Sequence, residues 1–422
     1  MLYFLSGGVL WKRFYNNCCG IDVHKKLLVA CFRSGGKQEI RNFGATTREI
    51  IELCQWLMDG GCEMVAMEST GSYWKPLYNI IEEMGLMAMV VNARHMKAVP
   101  GRKTDVQDAE WIADLLQHGL LRASYIPDKR QRELRELVSY RKSLISEYCR
   151  ELNRLQKMLE GANIKLSGTV SNIAGKSARA ILDYIVEGKA FGEAEYDRMY
   201  RDNTIAHNLK ATKEQIIDDL KGVMSSLQRK MLKTVLAHID DLKGYIRELD
   251  DDIDNYMKPE EKDAVKTIQS VPGIGQTGAQ AIISVIGIDM KRFPTANHIS
   301  SWAGICPGNN ESAGKRLSGK TRKGNSLLKS TLVVCANAAV KVKDSFFHAQ
   351  YTRICIHRGK KRAIVAVAHS MLVSVYHMLR TGLSFKDLGA QYYNQFNRES
   401  KIRACIKKLQ ELDPNITVTT AV

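Results

Sequence analysis

The sequence is poor in the features that build zinc sites, disulfide scaffolds and membrane spans. Its ten cysteines (Cys18, Cys19, Cys31, Cys54, Cys62, Cys149, Cys306, Cys335, Cys355 and Cys405) form no Cys-x-x-Cys pair and no Cys/His cluster with zinc spacing. Most lie in apolar runs, where a thiol packs as a small hydrophobe, so the reading is a reduced, cytoplasmic protein without structural zinc. No uninterrupted apolar run has transmembrane length, and Met1–Leu10 lacks the basic flank and cleavage site of a signal peptide, so no membrane partner is expected. Internal repeats and low-complexity segments are missing too, which excludes a solenoid. Acidic residues are in deficit: 45 Asp and Glu face 62 Lys and Arg, a formal net charge of +17. That imbalance speaks of a polyanionic partner and says nothing about fold.

What is present changes texture along the chain. Residues 17–125 alternate β-rich runs with helical patterns. Cys18–Asp22, Leu27–Arg33 and Gln38–Phe43 read as three strands of a meander. Helices over Thr47–Met58, Ser72–Met84 and Thr104–His118 then alternate with strands over Glu63–Met67 and Leu86–Val91, which predicts a mixed sheet carrying helices. Residues 129–165 and 212–258 are charged, almost free of proline, and apolar at three- and four-residue spacing. They predict long helices in coiled-coil-like contact, antiparallel within a subunit or between subunits. Ser167–Asn203 reads as short helices. Beyond residue 264, an apolar helix over Ala279–Ile286, a Gly- and base-rich loop from Asn309 to Gly324, helices over Leu327–Val342 and after Arg362, and a tail helix over Arg398–Leu412 are expected. The chain thus divides into an extension (1–16), an α/β domain (17–125), a helical region (126–263), a mainly helical C-terminal domain (264–385) and a polar tail (386–422).

The positive charge is concentrated. Between Lys291 and Arg362 there are 15 Lys and Arg but 2 acids, a surplus of +13. The candidate phosphate-contacting cations are Lys315, Arg316, Lys320, Arg322, Lys323, Arg358, Lys360, Lys361 and Arg362. Val271-Pro272-Gly273-Ile274-Gly275, ahead of an apolar helix, has the look of one hairpin of a helix-hairpin-helix. Gly273 and Gly275 would there let backbone N–H groups meet a phosphate; a plain interhelical turn is the alternative.

Four carboxylates stand at telling places. Asp22 and Glu68 close apolar runs at strand ends, while Asp105 and Asp108 are three apart on one helix face. Such acids can converge on Mg²⁺ or Mn²⁺, hard ions that take oxygen ligands and leave room for phosphate. Singly, each is more often a salt-bridge partner or a helix cap than a ligand. Ser312, beside Gly314 and Lys315-Arg316, is a hydroxyl among cations, a weak nucleophile signal by itself.

Taken together the motifs resemble a known family. Gly20-Ile21-Asp22-Val23-His24-Lys25, Met67-Glu68-Ser69-Thr70-Gly71-Ser72-Tyr73-Trp74, Val91-Asn92-Ala93-Arg94 and Lys103-Thr104-Asp105-Val106-Gln107-Asp108-Ala109 are followed by Val271–Gly275, Trp302–Gly308, Ser312–Lys315 and Gly319–Asn325. Their order and spacing, over about residues 18 to 380, are similar to the DEDD insertion-sequence transposases described as bridge-RNA-guided recombinases. The resemblance implies a RuvC/RNase H-like N-terminal domain, a coiled-coil segment and a C-terminal transposase domain. It implies Asp22, Glu68, Asp105 and Asp108 as the metal tetrad and Ser312 as the nucleophile of a covalent phosphoserine–DNA intermediate. It also implies target and donor DNA and a structured guide RNA as partners, and a homodimer or homotetramer. Two other functions fit parts of the sequence: a Mg²⁺-dependent junction-resolving nuclease using water, which needs only the carboxylates, and a non-catalytic nucleic-acid scaffold, which needs only the basic block.

Overall fold

The computed structural model describes residues 4–5, 8–9, 14–69, 71–92, 105–207, 209, 211–308, 310–312, 315–392 and 398–412. The chain forms two compact units, Met1–Arg130 and Gln131–Val422.

In the first unit a five-stranded sheet is made by β1 (Cys18–Val23), β2 (Leu27–Ser34), β3 (Lys37–Gly44), β4 (Met64–Glu68) and β5 (Ala88–Val91). The spatial order is β3-β2-β1-β4-β5; the first three strands are an antiparallel meander and β4 and β5 add in parallel. The sheet is therefore mixed, in an α/β arrangement. Helices α1 (Thr47–Asp59) and α2 (Trp74–Glu83) supply the two crossovers, and α3 (Asp105–Gln117) follows β5. A short ladder pairs Phe4–Leu5 with Gly8–Val9.

Alternation along the strands sorts side chains between two layers. Cys19, Ile21, Val23, Val65 and Met67 pack with Leu53, Leu57, Leu77 and Ile81 of α1 and α2. The intervening residues face α3: Cys18 and Ala66 pack with Ile112 and Leu116, and Val29 and Cys31 with Ala109 and Ala113.

The second unit is helical: α4 (Lys129–Gly161), α5 (Leu166–Thr169), α6 (Lys176–Val186), α7 (Glu193–Arg201), α8 (Lys213–Asp219), α9 (Ser226–Tyr256), α10 (Pro259–Ile268), α11 (Gln276–Ile286), α12 (Ala296–Trp302), α13 (Ser326–Ala339), α14 (Phe346–Arg358), α15 (Lys360–Thr381) and α16 (Arg398–Leu412). Helices α4 and α9 run antiparallel. Near one end Tyr256 donates to Glu133; further along Arg141 binds Asp250 at 2.6 Å, and His238 lies 3.6 Å from Glu151. One end of the pair, with Leu134, Val138, Ile253 and Met257, joins the core of α10–α15. The other, with Leu155, Leu159, Leu232, Val235 and Ile239, closes a separate core over α5–α8.

Four sequence expectations are corrected here. The stretch 212–258 is two helices, because Gly222 turns the chain tightly against the end of α4: a Cβ there would lie 2.2 Å from Ala162 O. Ser225 and Gln228 then cap the start of α9 reciprocally, at 3.2 and 2.8 Å. The Gly- and base-rich loop is a β-ribbon, with β6 (Asn310–Ser312) antiparallel to β7 (Lys315–Ser318) and an outer Pro307–Thr321 bridge. The helix expected after Arg362 begins at Lys360, directly behind α14 across Gly359. Finally, α15 is long and apolar enough to cross a membrane, but Val367, Ala368, Met371, Leu372, Val375 and Tyr376 are buried in the second unit's core, so it packs as a central helix.

Candidate active site

The ladder between β1 and β4 pairs Gly20 with Ala66 and Ile21 with Met67. One step further, Asp22 stands beside Glu68 on adjacent parallel strands, where register neighbours project from the same face. That face is the one covered by α3. The relation is set by Gly20: a Cβ there would lie 2.3 Å from Ala113 N and 2.5 Å from Ala109 O. A strand glycine commonly marks such close backbone approach.

Helix α3 runs opposite to β1. Cys18 Sγ contacts Ala113 O at 3.8 Å and packs with Ile112 and Leu116, while Gly20 meets Ala109 and Ala113. Continuing along β1 to Asp22 leads toward the start of α3, where Asp108 precedes Ala109 and is half-buried. Asp22, Glu68 and Asp108 are thus brought to one edge of the unit by strand register and helix direction. Asp105 opens α3; its side chain lies outside the described residues. Among the described residues, no three His, Cys, Asp or Glu side chains are grouped closely enough to hold a metal ion.

Asp22 is buried, 6% exposed, and one carboxylate oxygen is 2.9 Å from His24 Nε2. His24, two residues on and on the same face, is a functional candidate that sequence reasoning quoted without assigning it a role. The donor set is all carboxylate oxygen, which suits Mg²⁺. Because Gly20 has no Cβ, the backbone of α3 can lie directly on β1, which directs the start of the helix, with Asp108, toward the strand ends. The chemistry of the carboxylates suits such an ion, while the described side chains are not grouped around one point. Four residues before Asp22 on β1, burial pushes the Cys18 thiol up to about 11, with Arg33 pulling the other way.

The remaining predicted residues lie in the second unit. Ser312 ends β6 and is register partner of Lys315, so it stands at the closed end of the ribbon; Lys315 and Arg316 are on the return strand. The side chains of Ser312, Lys315 and Arg316 lie outside the described residues. Lys320, Arg322 and Lys323 are exposed at the ribbon's root. Arg358, Lys360, Lys361 and Arg362 are exposed around the α14–α15 turn, and none has a carboxylate partner among the described residues. Gly273 has φ +85, and a Cβ there would lie 2.4 Å from Cys335 O and 2.5 Å from Ala339 N, so its bareness serves packing against α13. Gly275 caps α11, and its Cβ position is open.

Comparison with known proteins gives the arrangement a context. The chain is 25% identical over 305 residues to the "Insertion element IS110 uncharacterized 43.6 kDa protein" of Streptomyces coelicolor, covering 68% of this chain and 73% of that protein. Among solved structures, T. thermophilus RuvC in complex with Holliday junction substrate aligns with 26% of this chain and 100% of its own, at 12% identity and a TM-score of 0.21. Residues 19–164 match the transposase family DEDD_Tnp_IS110, and residues 265–352 match the transposase family IS116/IS110/IS902. One matched stretch holds the carboxylates and the other holds the serine ribbon.

Proposed function

We propose that this protein is a DNA transposase that mobilises an insertion sequence by strand cleavage and exchange, guided by a structured RNA. The observation that carries the reading is the placement of Asp22 beside Glu68 on the face covered by the start of α3, in a chain whose other transposase domain presents Ser312 at the end of a ribbon. The first unit is read as a RuvC/RNase H-like domain.

Asp22, Glu68 and Asp108, together with Asp105, would hold Mg²⁺ or Mn²⁺, and a bound ion supplies positive charge opposite the phosphate oxygens. His24, 2.9 Å from one Asp22 carboxylate oxygen, would orient that carboxylate, as outer partners of metal ligands do. Ser312 Oγ forms a bond to phosphorus as the bond from phosphorus to a sugar oxygen breaks; that oxygen leaves as a hydroxyl, taking up the serine proton. Attack by the hydroxyl of a partner DNA end on the phosphoserine reverses the step, rejoins the strand and restores Ser312. The exposed cations would hold backbone phosphates in a sequence-independent way, with strong salt dependence. Sequence choice would then fall to RNA pairing, as in other guided effectors. Serine and carboxylates would meet in a homodimer or homotetramer.

The RNA-guided part is tested by purifying the protein from cells that carry the whole element, digesting with nuclease and sequencing what is protected. A discrete RNA from the element's flank supports the reading. A mixture of unrelated host RNAs, with recombination unaffected by its removal, contradicts it. The water-using nuclease is the second reading. It predicts cleavage that survives Ser312→Ala and is lost in Asp22→Asn.

A further inference from the structure

The two roots of the serine ribbon cross at bare backbone. At Gly324 a Cβ would lie 2.3 Å from Ala303 C, 2.4 Å from Ala303 O and 2.5 Å from Gly304 N. Opposite it, Gly304 has φ +69, and a Cβ there would lie 2.7 Å from both Arg322 O and Gly324 N. Every one of these neighbours is main chain, so no side chain can swing aside. The crossing is held on firm ground. Ala303 and Ile305 are buried in the second unit's core, and Asn325, the residue after Gly324, caps α13 by accepting from Leu328 N at 3.0 Å. From this crossing the ribbon extends through the Gly308 N to Lys320 O bond at 2.9 Å and the Pro307–Thr321 bridge to Ser312. Lys329 on α13 donates to Thr321 Oγ1 at 2.7 Å and steadies the root from one side.

We propose that the Gly304–Gly324 crossing is a clasp that aims the ribbon, making the two glycines positioning residues for strand cleavage. The inference rests on Ser312 being the nucleophile. The clasp acts by leverage. A methyl at Gly324 must retreat from 2.3 Å to the 3.0 Å below which real Cβ contacts essentially never fall, opening the clasp by about 0.7 Å. Strands lie ~4.8 Å apart, and the eight residues from Gly304 to Ser312 reach ~27 Å when extended, so the opening swings the ribbon's end by up to about 4 Å. Displacing a reacting group by ~1 Å already costs on the order of 100-fold in rate. Arg322 and Lys323 lie in the clasp's own strand, but Arg358, Lys360, Lys361 and Arg362 lie at the α14–α15 turn, so cleavage falls far more than DNA affinity.

The test uses the full-length protein with its co-purified RNA, Mg²⁺ and a plasmid carrying the element's flanks. Covalent protein–DNA capture, DNA affinity and melting temperature are measured for wild type, Ser312→Ala, Gly324→Ala and Gly308→Ala. Gly308 lies nearer the ribbon's end, and a Cβ there would be 3.2 Å from Lys320 O, a far milder contact. The expected result is capture reduced about 100-fold or more in Gly324→Ala, a smaller loss in Gly308→Ala, DNA affinity lowered in each by far less than capture, and cooperative melting in both. If Gly324→Ala does not fold, Gly308→Ala decides: capture reduced by more than affinity supports the clasp, and wild-type capture overturns it. Gly324→Ala that captures DNA at the wild-type rate overturns the clasp alone. Capture by Ser312→Ala overturns the nucleophile assignment and the inference with it.

Discussion

Asp22 and Glu68 stand side by side because Ile21 and Met67, the residues before them, are register partners in a parallel ladder. Two carboxylates held this way on the face covered by one helix repel one another, a repulsion that a bound cation relieves. Asp22→Asn and Glu68→Gln should each lower Mg²⁺-dependent cleavage by about 100-fold or more. Mn²⁺ binding, followed by electron paramagnetic resonance, should weaken in parallel. Melting temperatures without metal should stay level or rise, since functional carboxylates of this kind commonly oppose stability. A fall in melting temperature with Mn²⁺ binding intact would mark the pair as structural.

Gly20→Ala should damage the same site without touching a carboxylate. Its Cβ would press on Ala113 N and Ala109 O, main-chain atoms of α3. Such overpacking costs about 1–3 kcal/mol. The displaced start of α3 should also weaken Mn²⁺ binding. Urea denaturation and the metal titration check the two effects separately, and unchanged stability would show that α3 tolerates a larger strand residue.

How much of this was legible differs from residue to residue. Asp22 and Glu68 could be found because each ends an apolar run, and apolar runs of that length mark strands. The role of Gly20 was also written in the sequence, as a glycine inside Cys18–Ile21, but only the helix packed on it gives that glycine a meaning. The break at Gly222 was hidden because Leu220, Val223 and Leu227 continue the helical spacing across it. Val223 and Leu227 turn out to be 85% and 66% exposed, so the spacing there reflects no buried face. The Ser225–Gln228 capping pair was the readable signal. The serine ribbon had no alternating apolar pattern to announce it: it is short, polar and rich in Gly and Lys, and pairs through its main chain.

Arg141 offers a test of the helical unit. It is 1% exposed and binds Asp250 Oδ1 and Gln280 Oε1, both at 2.6 Å. Burial holds its guanidinium below the usual arginine range, against the pull of Asp250. Arg141→Ala should destabilise by about 2–4 kcal/mol, because it removes buried packing and leaves Gln280 unpaired. Asp250→Asn should cost less than about 1 kcal/mol, since that carboxylate is 48% exposed and solvent-screened. Equal effects in urea denaturation would contradict this asymmetry.

The exposed cations around Gly359 predict a salt effect. Replacing Arg358, Lys360, Lys361 or Arg362 with Ala should weaken binding to any duplex to a similar degree. Each lost phosphate contact should lower the slope of log affinity against log salt by about 0.9. An unchanged slope in the fourfold variant would place the DNA elsewhere.

The most direct test of the whole account is denaturing electrophoresis of protein–DNA reactions, with peptide mapping of any covalent adduct. With Mg²⁺ and the element's own flanking DNA, the wild type should yield an adduct whose DNA-bearing peptide contains Ser312. Ser312→Ala and Asp22→Asn should yield none. An adduct that persists in Ser312→Ala, or cleavage by that variant at the wild-type rate, would contradict the account.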